Sequence, residues 1–214
     1  MSVYKCRVCG KYLLDTVHCN KPCIYLMSNS QRKALSHLMS ALLRHIPHEV
    51  DLELDNEGFV DVSELVKAIK ERWRNKHLYR WVNEEHVKAV ALLDEKGRFE
   101  IRDNKIRAKY GHSVKVNLKY DIDYEVQRLY HGTVKRFLES IFRQGLLPGK
   151  RMYVHLTSSI DEALSAGKRK GNDVIILEVN VDCLRNHGYE VYRASSKIYL
   201  TRYVPPECLR VVKE

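Results

Sequence analysis

The chain has 214 residues, 44% of them hydrophobic and 30% charged, and a formal net charge of +10. That is ordinary globular usage, which excludes a fibrous or wholly disordered chain, and the length suits one large domain or two small ones with a real core. No apolar run approaches the roughly 20 residues that span a bilayer. The N-terminal MSVYKCRVCGKY lacks the apolar stretch of a signal peptide, so a cytoplasmic protein without membrane contact is expected.

The positive excess favours an anionic partner, nucleic acid first. It is spread as +3 over residues 1–27, +2 over 28–113 and +5 over 114–214. Binding must therefore come from placed cations rather than from a basic arm.

Four of the six cysteines, Cys6, Cys9, Cys19 and Cys23, fall in the first 23 residues as C-x2-C and C-x3-C. Two such pairs form thiolate knuckles that satisfy a tetrahedral Zn2+, and Gly10 suits the turn of the first. His18 is an alternative to Cys19, although adjacent residues rarely ligate together. Two disulfides and a redox C-x-x-C are the competing explanations. The absence of a signal sequence and of a strand-then-helix pattern around Cys6 disfavours both. Cys183 and Cys208 stand single and distant. The expectation is a structural zinc, since four ligands leave no open position.

In residues 28–113, Leu35, Leu38, Met39, Leu42, Leu43 and Ile46 recur at helical spacing, and Pro47 stops that helix. Asp61-Val-Ser-Glu64 caps a second helix through Ile69, with Val62, Leu65, Val66 and Ile69 inward. Asn83 caps a third, with Val87, Val90 and Ala91 inward and Gly97 as its stop. Arg98–Arg102 and Lys105–Lys109 then alternate around Asp103-Asn104, a two-residue hairpin signal. Three helices and a hairpin follow the order of a winged-helix unit, which meets nucleic acid but also serves as a protein-interaction module. Arg44 and His45 close the first helix, where cations complement its dipole. The alternative is that they point at a ligand anion, and pattern alone favours the dipole.

Residues 114–214 predict strands at Leu129–Gly132, Met152–Thr157, Val174–Val181, Glu190–Tyr192 and Ile198–Tyr203. A helix over Val134–Arg143 ends at Gly145, and Ser159 caps another through Ala166. Many strands with few helices suggest an α+β sandwich around a cleft. His131 and His155 close strands and are each followed within two residues by Thr133 or Thr157. Either alone suits a half-buried structural histidine; two together favour a site. No G-x-G-x-x-G, P-loop or H-E-x-x-H occurs.

These blocks match a known family. They are Ala41-Leu-Leu-Arg44-His45, Gly58-Phe-Val-Asp-Val62, Ile106-Arg107-Ala-Lys-Tyr-Gly111-His112-Ser113, Leu129-Tyr-His131-Gly132-Thr133, Gly145-Leu-Leu-Pro148, His155-Leu-Thr157, Gly167-Lys-Arg169-Lys-Gly171 and Tyr192-Arg193. In this order, over residues 31–212, the chain resembles the NAD-dependent RNA 2′-phosphotransferases of tRNA splicing. The cysteine segment lies outside that resemblance as an added module that helps hold RNA.

The resemblance implies an α+β chain in three parts. Residues 1–27 form a zinc-ribbon-like segment, 28–113 a winged-helix-like RNA-binding lobe, and 114–214 an ADP-ribosyltransferase-like lobe. RNA with an internal 2′-phosphate, tRNA-like, is expected between the lobes of a monomer, with NAD+ as co-substrate. The phosphate attacks the anomeric carbon of NAD+, releasing nicotinamide and leaving an RNA–phospho–ADP-ribose adduct. The neighbouring ribose hydroxyl then attacks phosphorus, giving 2′-OH RNA and ADP-ribose 1″,2″-cyclic phosphate.

By motif, Arg44, His45, Arg107 and Arg169 are the catalytic set around the phosphate, so Arg44 and His45 serve an anion and must outweigh the helix dipole. His131, Gly132, Thr133, His155, Thr157 and Ile198 belong to the NAD site. Ile198 stands where side-chain-modifying transferases carry a carboxylate, and a phosphate nucleophile needs no such base. Tyr110 replaces a usual Gln, and Ser195-Ser196-Lys197 a usual Ala-Asn-Gly. The alternative functions are ADP-ribosylation of nucleic-acid terminal phosphates and non-catalytic RNA binding.

Overall fold

Residues 1–27 fold as five short strands, β1 (Val3–Lys5), β2 (Tyr12–Leu13), β3 (Val17–His18), β4 (Lys21–Pro22) and β5 (Ile24–Met27). β1 is central in an antiparallel sheet ordered β2-β1-β5, while β3 and β4 form a separate hairpin. Its turn is Cys19-Asn20, both at positive φ (49° and 57°), the type I′ geometry that matches strand twist. The computed structural model describes residues 1–212, so the last two residues of the expected 114–214 lobe lie outside the described residues.

The cysteine segment shares its core with the helices that follow. Val3 and Met27 are fully buried in one cluster with Leu35, Leu42 and Val87. Lys5 pairs with Glu85, and His86 Nε2–H donates to the Leu26 carbonyl at 3.2 Å. The chain divides into two compact units, Met1–Leu118 and Lys119–Glu214, rather than into three parts bounded at 27 and 113. So short a segment buries too little apolar surface by itself and uses its neighbour's core.

In the first unit α1 (Asn29–Arg44) opens with a capping box. Gln31 N–H donates to Ser28 Oγ (3.2 Å) and Ser28 N–H to Gln31 Oε1 (2.9 Å). Its stripe of Leu35, Leu38, Met39, Leu42 and Leu43 is buried, each full burial stabilising by about 1.5–3 kcal/mol. Pro47 opens a separate 3₁₀ turn, because a proline ring cannot continue the preceding helix. α2 (Val62–Lys67) runs into a π-helical turn over Ala68–Arg72. Asp61 precedes it without a side-chain cap, since it belongs to β6 (Val60–Asp61).

α3 (Glu84–Leu92) is capped by Asn83, whose side chain accepts from His86 N–H at 3.2 Å. It ends at Leu92, five residues before Gly97. β7 (Phe99–Arg102) and β8 (Lys105–Ala108) turn at Asp103-Asn104, both at positive φ. β6 joins the far side of β8, giving the order β6-β8-β7. This third strand was not expected: two residues carry no periodicity.

The second unit has a seven-stranded antiparallel sheet. Its strands are β9 (Asp121–Ile122), β10 (Arg128–Val134), β11 (Val154–Thr157), β12 (Val174–Asn180), β13 (Tyr192–Arg193), β14 (Ile198–Thr201) and β15 (Leu209–Val211). The order is β15-β12-β10-β11-β14-β13-β9. α4 (Leu138–Gln144), α5 (Ile160–Lys168) and α6 (Val181–Asn186) complete the unit. The expected sandwich is thus one splayed sheet in a mixed α/β unit.

β10 runs beside β12 from Arg128↔Asn180 to Val134↔Val174, and β11 beside β14 from Val154↔Thr201 to Thr157↔Ile198. β10 and β11 meet only at Tyr130↔Thr157. Behind the sheet, Cys183 of α6 and Cys208 are joined by a disulfide with Cα atoms 5.5 Å apart. The two were expected to stand single and distant. The fold returns the chain to the sheet's far edge, which brings them together.

Candidate functional site

In the cysteine segment, metal-ligating atoms of Cys6, Cys9, His18 and Cys19 lie within 4.8 Å of one another. Backbone N–H groups of Val8 and Cys9 point at Cys6 Sγ (3.3 and 3.5 Å). These bonds, Cys9's foremost, pull the Cys6 thiol down to about 6, as a metal knuckle requires. Lost hydration and the neighbouring thiols push Cys19 up to about 11.

His18 Nδ1 is 3.5 Å from Cys9 Sγ and 3.2 Å from Cys19 Sγ. The predicted ligand set had Cys23 where this group has His18. The type I′ turn explains the difference: positive φ at Cys19 swings its thiol back beside its neighbour's ring. Cys23 stays close, and lost hydration and then the charge at Cys6 raise its pKa.

In the first unit, the residues after β8 run over the end of α1. Ser113 and Val114 N–H donate to the Arg44 carbonyl at 3.0 and 3.2 Å. That cap covers the negative pole which would otherwise repel an anion. His45 Nδ1 lies 2.9 Å from Ser113 Oγ, orienting its ring. Arg44 is buried, with its guanidinium 4.9 Å from the Tyr110 ring centroid, and Tyr110 O–H donates to the Lys96 carbonyl at 2.9 Å. The departure at Tyr110 therefore supplies a cation–π platform for Arg44.

Arg107 projects from β8. Its Nε–H donates to Glu100 Oε2 at 2.8 Å and its Nη1 to the Glu57 carbonyl at 3.1 Å. The Phe59 ring lies 4.4 Å from its guanidinium carbon. Carboxylates thus fix one edge of the guanidinium. Sequence reasoning did not assign a role to His112, which is 3% exposed. Burial, then the charges of Arg44, His45 and Arg107, push it down to about 4. All three predicted cations of this unit act on that one ring.

In the second unit, His131 on β10 and His155 on β11 lie where these two strands part. His131 Nδ1–H donates to the His155 carbonyl at 3.0 Å, replacing a ladder bond. Ile198 pairs with Thr157 on the next strand. Thr157 Oγ1 accepts from Ser159 N–H at 3.2 Å, shaping the turn into α5, and Thr133 is buried.

Gly132 has a packing role. A Cβ there would lie 1.7 Å from the Ala163 carbonyl oxygen, so only glycine lets α5 rest on β10. Arg169 is exposed just beyond α5. Next to it, the Nζ of Lys170 reaches His131 Nε2 at 3.0 Å. Lost hydration, then Arg151 and Arg169, push Lys170 down to about 8. Neither His112 nor Lys170 carried a sequence signal beyond motif neighbourhood.

Cationic side chains thus act on the buried His112 in the first unit and on Lys170 in the second. The family model described as RNA 2′-phosphotransferase, Tpt1 / KptA family, matches residues 30–203, and the chain belongs to that family. It is 50% identical over 212 residues to a Hyperthermus butylicus protein named "Probable RNA 2'-phosphotransferase", covering 97% of this chain and 91% of that one. Proteins of the same name from Pyrococcus horikoshii and Pyrobaculum aerophilum are 46% and 41% identical. These two matches cover 83% and 98% of this chain, and 97% and 95% of the relatives. The Hyperthermus match, spanning nearly the whole chain, takes in the cysteine segment.

Proposed function

We propose that the chain removes an internal 2′-phosphate from RNA by transferring it to NAD+, yielding 2′-OH RNA, nicotinamide and ADP-ribose 1″,2″-cyclic phosphate. The observation that carries this is the junction of α1 with the residues after β8, where Ser113 and Val114 cap the Arg44 carbonyl and Ser113 meets the His45 ring beside the buried His112, in a chain of this family. The charges of Arg44 and Arg107 act on that region and depress the proton affinity of His112, a positive potential suited to a phosphate dianion and to charge developing on phosphorus. Tyr110 and the Glu57–Glu100 pair hold the two guanidiniums before substrate arrives, so little reorganisation accompanies binding. Ser113 fixes the His45 ring through Nδ1, and Nε2 is the atom assigned to proton exchange.

The residues of the second unit fit NAD+. Arg151, Arg169 and Lys170 form a cationic group suited to a pyrophosphate. His155 offers a hydrogen-bonding partner for a ribose hydroxyl, with the His131 ring held against its carbonyl. When bound, NAD+ supplies the ribose carbon that takes the phosphate. The helix-and-sheet order of the first unit supports a winged-helix-like RNA lobe, and the splayed sheet of the second supports an ADP-ribosyltransferase-like lobe. The donor set Cys6, Cys9, Cys19 and His18 suits a structural Zn2+.

The test is incubation of the full chain with a 2′-phosphorylated oligoribonucleotide and NAD+. Loss of the phosphate with appearance of the cyclic phosphate is expected. A folded chain that binds both ligands yet releases neither product would overturn the proposal. Persistence of an RNA–ADP-ribose adduct would point instead to ADP-ribosylation of phosphates.

A further inference from the structure

We infer that Lys170 is a positioning residue: it locks His131 into one neutral tautomer and ties the turn that carries Arg169 to β10. The hydrogen bonds of His131 determine its protonation. Nδ1 lies 3.0 Å from the His155 carbonyl, which can only accept, so Nδ1 carries the proton. Nε2 lies 3.0 Å from Lys170 Nζ, and an ammonium can only donate, so Nε2 is the bare acceptor. Both nitrogens are thereby committed, and the ring can neither flip nor exchange tautomers without losing a partner. Burial, then the Lys170 charge, accordingly hold His131 down to about 4.

The same ammonium donates to the Gly132 carbonyl at 2.8 Å. The backbone of the turn is held as well. Lys170 N–H donates to Gly167 O at 2.7 Å, and the Lys170 carbonyl accepts from Arg136 Nη2 at 2.8 Å. Arg169 lies between these anchors. A side chain reaching inward from position 170 thus fixes the placement of its outward neighbour and of a histidine on another element. Lys170 also faces Arg151 and Arg169, which lower its proton affinity, so its positive charge is lost as pH rises through about 8.

The catalytic consequence rests on the NAD+ reading of this site; the tautomer does not. The experiment therefore has two arms on the full chain. In the first, ¹⁵N NMR of the histidine rings is recorded for the parent protein, Lys170→Met and Lys170→Arg, with His131 assigned through His131→Gln. The parent and Lys170→Arg should show His131 as the Nδ1–H tautomer, and Lys170→Met should show loss of that single state. In the second arm, kcat for 2′-phosphate removal should fall about tenfold or more in Lys170→Met and be largely restored in Lys170→Arg. The parent's kcat should also decline as pH rises through about 8, and Lys170→Arg should not show that decline, because arginine keeps its charge.

An unchanged His131 tautomer in folded Lys170→Met overturns the inference. So does faster turnover or a lower KM for NAD+ in that variant, which would make Lys170 an obstruction. A parent protein that shows the tautomer but never turns over would overturn the functional reading and the catalytic half of this inference, leaving the tautomer lock supported.

Discussion

Arg44 cannot be exchanged for lysine without loss, because its position depends on shape as well as charge. Its planar guanidinium lies against the Tyr110 ring, and an ammonium offers neither that stacking nor a two-pronged grip on phosphate. Arg44→Lys should fold normally and lower kcat/KM in the phosphate-removal assay by roughly a hundredfold. Near-parent turnover would remove Arg44 from the site.

His112 and His131 make a second prediction at this scale. Both are held near 4 in the folded chain, against 6.5 for an ordinary histidine. Between those values the unfolded chain binds more protons than the folded one. Their contribution to stability is full above about 6.5 and is lost as pH falls toward 4, at most roughly 3 kcal/mol for each. Unfolding free energies measured by denaturant titration at pH 7, 5.5 and 4.5 should fall in that order. A flat profile would show that these rings are hydrated.

Among the elements, α5 depends on what β10 lacks. Gly132→Ala would drive a methyl group into the Ala163 carbonyl, and overpacking of this kind costs about 1–3 kcal/mol or more. Thermal unfolding should show a clear loss, with the Lys170 contacts disrupted as well. The Cys183–Cys208 bridge joins α6 to the 3₁₀ turn before β15 across 25 residues. Constraining the unfolded chain over that span is worth about 3 kcal/mol. Cys183→Ser should lower the midpoint accordingly, and added reductant should lower the parent's midpoint but not the variant's.

Elements were legible where their signals are local. The stripe from Leu35 to Leu43, the Asn83 cap and the Asp103-Asn104 turn each act within a few residues, and the chain folds there as they indicate. β6, β9 and β15 were not legible. Each is two or three residues long and exists because a neighbouring strand offers an edge. α6 was not predicted, and the strand predicted over Val174–Val181 took its first residue, because Val181 continues an apolar run and only the Asn180 cap breaks it.

For the whole molecule, the cysteine segment is part of the first unit's core, so its metal state and that unit's stability are linked. Metal bound only by the folded chain stabilises it by mass action. Purified under reducing conditions, the chain should contain about one zinc, and chelation should lower the unfolding temperature. His18→Asn should release that zinc while Cys23→Ser retains it. The opposite result would restore the four-thiolate set. No helix among the described residues is long and apolar enough to cross a membrane.

By itself the sequence determined the family and the order of helices, then hairpin, then alternating strands and short helices from residue 28 onward, because motifs and periodicity are written in residue order. It also placed the charge excess at the two ends rather than in the middle. Only the tertiary structure decided that His112 receives the fields of Arg44, His45 and Arg107, and that His18 joins the cysteines. The same holds for the Cys183–Cys208 bridge and for the contact of Lys170 with His131. Each depends on groups brought together by turns, strand pairing or packing, and hydrogen bonds and charges act through space over a few ångströms whatever the separation along the chain.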